Sequence, residues 1–173
     1  MFNIDEELQN LINRAYLLLG RLDGMATTLP DINLFVSMYV QKEAVISSQI
    51  EGTQASLIDV LQKDRNNEKI KDTEEIVNYI KATNYAFKRL EELPLCMRLI
   101  KETHSILLSG VRGNEKSPGE FRKSQNWIGY AGCKLNTASF VPPAPGEMEK
   151  SLTDLEKYIH EDSFIPNLIK IAL

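Results

Sequence analysis

The chain has little of several things that would classify it at once. It carries two cysteines, Cys96 and Cys133, far apart and in different contexts. They form neither a disulfide framework nor a metal-ligand pair, so a reducing cytoplasm is the expected setting. Its two histidines, His104 and His160, stand at no recognisable spacing from a serine or cysteine partner. No long basic run occurs, so the charge footprint of a nucleic-acid binder is not expected. No apolar run approaches the ~20 residues that span a bilayer. The N-terminus, MFNIDEELQN, is acidic and polar, unlike a signal peptide. Neither a Walker-type loop nor a G-x-G-x-x-G fingerprint occurs, and there is no internal repeat or low-complexity tract.

What is there has the composition of a soluble globular domain: 173 residues, 43% apolar, 25% charged, with a mild net charge of −4. The length suits one domain, or a helical module packed on part of a second. Helical periodicity dominates. Leu8, Leu11, Ile12, Ala15, Leu18, Leu19 and Leu22 recur at steps of three and four, and Gly24 followed by TTLPD predicts the stop. A second helix is expected from near Asn33, through Phe35, Val36, Tyr39 and Val40, to Gly52. QASLIDVLQK predicts a short third helix and DRNNEK a polar connection. DTEEIVNYIKATNYAFKRLEEL predicts a strong helix capped by Asp72 or Thr73, with Ile76, Ile80, Thr83, Phe87 and Leu90 on one face. Pro94 is placed to open the next helix, which ends near Gly110.

The stretch from Gly110 to Glu147 is different in kind. It holds six of the nine glycines and four of the seven prolines. β-prone pieces at Trp127–Tyr130 and Ala138–Val141 flank a turn region, which predicts a β-hairpin or flap projecting from helices. Helix returns in PGEMEKSLTDLEKYIHE, with Met148, Leu152, Leu155 and Ile159 in register. The final FIPNLIKIAL is an apolar helix start with Pro166 in its first turn and no capping glycine. It leads to the expectation that the structural unit continues past Leu173.

Two segments are candidates for function. In AVISSQIEGTQ, residues four apart share a helix face, so Ser47 Oγ can reach and aim the Glu51 carboxylate. A carboxylate in a last turn meets the negative end of the helix dipole, an unfavourable term of roughly 0.3–1 kcal/mol when exposed. Gly52 supplies a left-handed stop with no side chain over that end. The arrangement makes sense if Glu51 faces a cation, most simply an arginine bonding it in a bidentate manner. Taken alone, the stretch favours the plainer alternative of an exposed Glu51 with Ser47 packed beside it. Glu43 lies eight residues before Glu51, and a two-carboxylate site there lacks nearby histidines. His104 is expected as a core or boundary histidine, and His160 as a cation favoured by a helix end. In SPGEFRKSQNWIG, Arg122, Asn126 and Trp127 cluster at the entry to the flap. Either Trp127 packs and Arg122 ties the loop to a carboxylate, or the hairpin edge pairs with an extended peptide.

Together and in this order, these segments resemble the Fic family. The matching residues are Ser47, Glu51 and Gly52 of S-x-x-x-E-G, then H-x-x-L-L-x-G from His104 to Gly110. R-G-x-x-x-S-P-G-E-F-R-x-x-Q-N-W-I-G follows from Arg112 to Gly129, then F-V-P-P-A-P from Phe140 to Pro145. The resemblance runs from about residue 30 to the C-terminus. It implies a mainly α fold, a helical bundle of the Fic type with a small β-hairpin flap. Residues 1–93 would be an N-terminal helical region carrying an inhibitory helix, and 94–173 the first part of the Fic core domain. The implied activity is transfer of AMP from ATP to a hydroxyl side chain of a target protein, with magnesium. By match, Ser47, Glu51 and Gly52 are the inhibitory residues at the ATP site. Asn126, Trp127, Ile128, Gly129, Phe140 and Val141 would belong to the flap that positions the target.

The departure from the family is as specific as the match. The family's core motif, H-P-F-x-[D/E]-G-N-G-R-x-x-R, holds the general base, the magnesium ligand and the phosphate cradle, and these residues do not contain it. This chain by itself is therefore expected to bind neither ATP nor magnesium, to have no catalytic or metal residue of its own, and to be inactive alone. Its expected partners are the target protein and a C-terminal Fic core in cis or in trans. A homodimer through the apolar surface around Ile165–Leu173 is a further expectation, and no nucleic acid or membrane partner is expected. The alternative is a non-enzymatic helical module that inhibits a Fic core in trans, as antitoxins do.

Overall fold

A computed structural model describes residues 4–50, 52 and 67–172, with backbone alone over 67–72. Within them the molecule is mainly helical. The α-helices are α1 (Glu6–Ala26), α2 (Ile32–Ile50), α3 (Asn67–Arg89), α4 (Met97–Leu107), α5 (Pro145–His160) and α6 (Asn167–Ala172). Single 3-10 turns occupy Asn114–Lys116 and Leu135–Thr137. The helix expected in QASLIDVLQK lies outside the described residues. The chain divides into two compact units, Met1–Glu43 with Ser163–Leu173, and Ala44–Asp162. No helix among the described residues is long and apolar enough to cross a membrane.

In the first unit, local side chains set the helix ends. Asp5 Oδ1 accepts the Leu8 amide at 2.8 Å, and Glu6 and Glu7 sit where the dipole favours acids. The stop differs from the expected one. Gly24 lies inside the last turn, and α1 closes where the Thr27 and Thr28 hydroxyls donate to the carbonyls of Gly24 and Met25, each at 2.7 Å. Asp31 Oδ1 accepts the Leu34 amide at 3.0 Å and starts α2. Pro166 stands just outside α6, its carbonyl accepting the Ile169 and Lys170 amides. Ile12 and Ile169 are buried, whereas Leu11, Leu18, Leu19 and Leu22 of the α1 stripe remain exposed.

The second unit is organised by α3. The helix begins at Asn67, ahead of the expected caps Asp72 and Thr73. The preceding EKIK is made of good helix formers, so nothing local forces a stop before a capping residue. One face of α3 buries Ile76 against Ala44 and Val45 of α2, with Tyr79 and Ile80 packed on the same cluster. Elsewhere along α3, polar groups bind α4. Asn78, itself buried, donates from Nδ2 to the Ser109 carbonyl at 2.7 Å, beyond the end of α4. Glu102 of α4 receives the Tyr85 hydroxyl at 2.8 Å, Arg89 Nε at 3.1 Å and Arg98 Nε at 2.8 Å.

Helix α4 starts at Met97 rather than at Pro94. The reason is tertiary. Cys96 offers no side-chain cap, and Glu156 of α5 accepts the Met97 amide at 2.7 Å instead. One turn along α5, His160 Nε2 bonds the Leu95 carbonyl at 2.7 Å, so α5 fixes the entry to α4 at two points.

The β-hairpin flap expected from the sequence is not shown. No strand occurs among the described residues, and the two β-prone pieces meet at a single antiparallel bridge between Ile128 and Phe140. The ladder stops on both sides for local reasons. Outward, Pro142 and Pro143 carry no N–H to donate. Inward, the Ala138 amide turns back to the Leu135 carbonyl in a 3-10 turn.

Three donors hold the Glu102 carboxyl well below its usual range, from 4.5 to about 2, Tyr85 contributing most, then Arg98 and Arg89. A depressed pKa stabilises the fold fully above the unfolded value and loses that contribution as pH falls through the folded one. Glu102→Gln is therefore expected to lower the urea midpoint most above pH 4.5, with the gap to the parent closing as pH falls towards 2. Urea titrations across that window measure it, and a gap independent of pH contradicts it.

Candidate functional site

Within the second unit, the C-terminal half of α2 forms one wall of a groove of about 340 Å³. Ser47 and Ser48 line it from α2, Glu75 and Tyr79 from α3, and Leu107, Leu108, Val111 and Arg112 from the end of α4 and the residues after it. The floor is apolar and the rim charged. Arg112 Nε stands 3.8 Å from Glu75 Oε1, the arginine side chain 78% exposed and the carboxylate 24%. A contact this long and this exposed on one side contributes little by itself. Ser47 thus sits half-buried on the groove wall, one turn before the helix end.

Gly52 has φ of +97°, the left-handed region that a side chain resists, and its amide bonds the Gln49 carbonyl at 3.1 Å. Glu51 itself lies outside the described residues. None of the residues Asn126–Val141 lines the groove.

The second candidate segment runs from α4 through the SPGEFR stretch to the bridge. Gly119 is pressed onto α4. It has φ of +84°, and a Cβ there would stand 3.0 Å from the Lys101 carbonyl oxygen and 3.1 Å from Ser105 Cβ. Its amide donates to His104 Nδ1 at 2.9 Å, so His104 is the acceptor that pins this loop. Lys101 adds an ion pair to Glu120 at 2.9 Å and lies over the Phe121 ring at 5.7 Å. Arg122 differs from the tie expected for it. It donates to the carbonyls of Ser124 and Pro143, not to a carboxylate. Gln125 Nε2 reaches the carbonyls of Asn126 and Pro142, each at 2.9 Å.

Beyond these ties the flap residues are open to solvent. Ile128 donates to and accepts from Phe140, at 2.9 and 3.1 Å. Trp127 is 41% exposed and donates its indole N–H to the Cys133 carbonyl. Ile128, Phe140 and Val141 are exposed apolar side chains, and Asn126 and Gly129 are exposed too. A Cβ on Gly129 would meet Cys133 Sγ, which would have to turn away.

Sequence reasoning did not single out Glu75, Asn78 or the pairing of Arg112. Their sequence signal is slight, since an acid and an asparagine three apart in a helix are ordinary. Only the path of the chain after α4 brings them into use. The described residues gather no three His, Cys, Asp or Glu side chains as a metal site would.

The geometry defines a helical module with a helix end set on a polar-rimmed groove and a separate solvent-open loop pinned to α4. Residues 9–88 match the family model described as Fic/DOC family N-terminal. That span is similar to the N-terminal part of Fic/DOC family proteins. No curated protein matches the chain.

Gly119→Ala is expected to cost about 1–3 kcal/mol, because both the backbone region and the approach to Lys101 and Ser105 resist a methyl group. Gly146→Ala in α5, with nothing within 4 Å of the new Cβ, is expected to be neutral or slightly stabilising. Urea denaturation of both variants measures the contrast, and equal effects would contradict the close approach.

Proposed function

We propose that this chain is the N-terminal regulatory and target-positioning part of a Fic-type protein adenylyltransferase. In this reading the complete protein transfers AMP from ATP to a hydroxyl side chain of a target, and Glu51 inhibits it. The observation that carries the reading is the end of α2. Gly52 is in the left-handed conformation with no side chain over the helix end, and Ser47 lies one turn before it on the groove. In this reading Glu51, the residue before Gly52, meets an incoming cation. The second arginine of a Fic core motif is the cation that the S-x-x-x-E-G match implies, and occupation of that arginine blocks the productive pose of ATP.

The loop from Asn126 to Val141 serves as the target-positioning part in this reading. Arg122 and Gln125 close its base on the carbonyls of Pro143 and Pro142, and Ile128, Phe140 and Val141 are exposed. An extended target segment would extend the Ile128–Phe140 bridge by main-chain hydrogen bonds. The core motif acts in cis or in trans in a cytoplasmic protein, with ATP and magnesium held by that core.

The exposed apolar side chains of the first unit favour a second reading, an interaction module that inhibits a Fic core in trans or pairs with a second copy. Sedimentation of the purified chain is expected to show concentration-dependent association, and a monomer at all concentrations excludes self-pairing.

Labelled ATP separates the roles. The 173-residue chain alone is expected to transfer no AMP, and robust transfer would overturn the regulatory assignment. With the core present, Glu51→Gly is expected to raise modification of target or of the protein itself. An unchanged rate would remove Glu51 from the inhibitory role.

A further inference from the structure

The Glu75–Arg112 pair faces the last turn of α2 across a single groove, and its two members have unequal surroundings. Glu75 is mostly covered, and Arg112 is held only at its guanidinium by a 3.8 Å contact. The α2 wall of that groove is Ser47 and Ser48, in the turn where the helix dipole is negative. A bare Glu75 carboxylate would face this negative end, and Arg112 supplies the positive charge that offsets it.

We propose that Arg112 is a positioning residue for the C-terminal turn of α2: its charge, set beside Glu75, holds that turn against α3. Its consequence for regulation rests on the inhibitory reading of α2. Packing alone places the earlier part of the turn, because Ala44 and Val45 are buried against Ile76. From Ser47 onward the helix lines the groove, and the charge of Arg112 adds to what holds it there. The chain is well arranged for this. Asn78 bonds the Ser109 carbonyl and so fixes the backbone just before Arg112 to the same helix that carries Glu75. The arginine is thereby held near the groove even though its side chain is largely solvated.

The proposal makes a signed prediction that simple loss of a contact does not. Removing Arg112 leaves Glu75 uncompensated and loosens the turn. Removing Glu75 alone does not loosen it, because the positive charge remains. Removing both restores most of the parent behaviour. Exposure of Arg112 also makes the effect salt-dependent, since screening acts over about 8–10 Å at ordinary ionic strength.

Amide exchange of the peptide covering residues 44–52, followed by mass spectrometry on the purified chain, tests this. At low salt, Arg112→Gln is expected to speed exchange there about two- to fivefold, the range of a charge at a helix end. Arg112→Lys keeps the parent rate, Glu75→Gln leaves it unchanged or slows it, and Glu75→Gln with Arg112→Gln returns it towards the parent. High salt shrinks the effect of Arg112→Gln. An unchanged rate in Arg112→Gln overturns the proposal, as does a double variant that exchanges as fast as Arg112→Gln alone. The readout does not involve nucleotide transfer. Failure of Glu51→Gly to release activity would discredit the inhibitory reading and leave the positioning role of Arg112 standing.

Discussion

Helix α3 has to serve two neighbours with two kinds of chemistry, and the second unit depends on its doing so. Towards α2 it offers Ile76, fully buried with Ala44 and Val45, an apolar contact that fixes distance but tolerates small slides. Towards α4 it offers Asn78, Tyr85 and Arg89, whose hydrogen bonds to Ser109 and Glu102 fix register. Hydrogen bonds are directional and burial is not. The same helix can therefore hold α4 rigidly while leaving the end of α2 adjustable. Glu102, bonded by three donors from two helices, is the tightest point of this framework.

From α4 the constraint passes to the loop that follows. His104 accepts the Gly119 amide, Gly119 lies too close to Lys101 and Ser105 for a side chain, and Lys101 holds Glu120. Arg122 and Gln125 then use carbonyls of Pro142 and Pro143 to close the base of the loop. The base is built from specific bonds and the tip is apolar and exposed. The single Ile128–Phe140 bridge leaves the remaining pairing groups of that region to the turn and the prolines.

Much of this was readable beforehand. The extents of α2 and α5 follow from periodicity and from Asp31, Gly52 and Pro145, all of which act within a few residues of themselves. The left-handed Gly52 and the glycine-rich loop were legible for the same reason. The start of α4 was not, because its cap is Glu156, 59 residues away. The β-hairpin was over-read. Ile128 and Phe140 have the right residue types, but pairing beyond them needs amides that the prolines lack and that the 3-10 turn has already used. The apolar stripe of α1 was read correctly as a stripe, although a stripe states only what a face could bury.

The sequence by itself determined the helical character of the chain, the four-residue spacing of Ser47 and Glu51, and the motif order that points to the Fic family. These are properties of spacing, and spacing along a helix or turn is set by local backbone geometry. Only the tertiary structure decided that Arg112 stands beside Glu75 on the groove of α2, that His104 pins Gly119, and that α5 caps α4. Each of these joins side chains whose separation in sequence carries no information about their separation in space. Their energies come from charge and hydrogen-bond geometry, which exist only once the helices have packed.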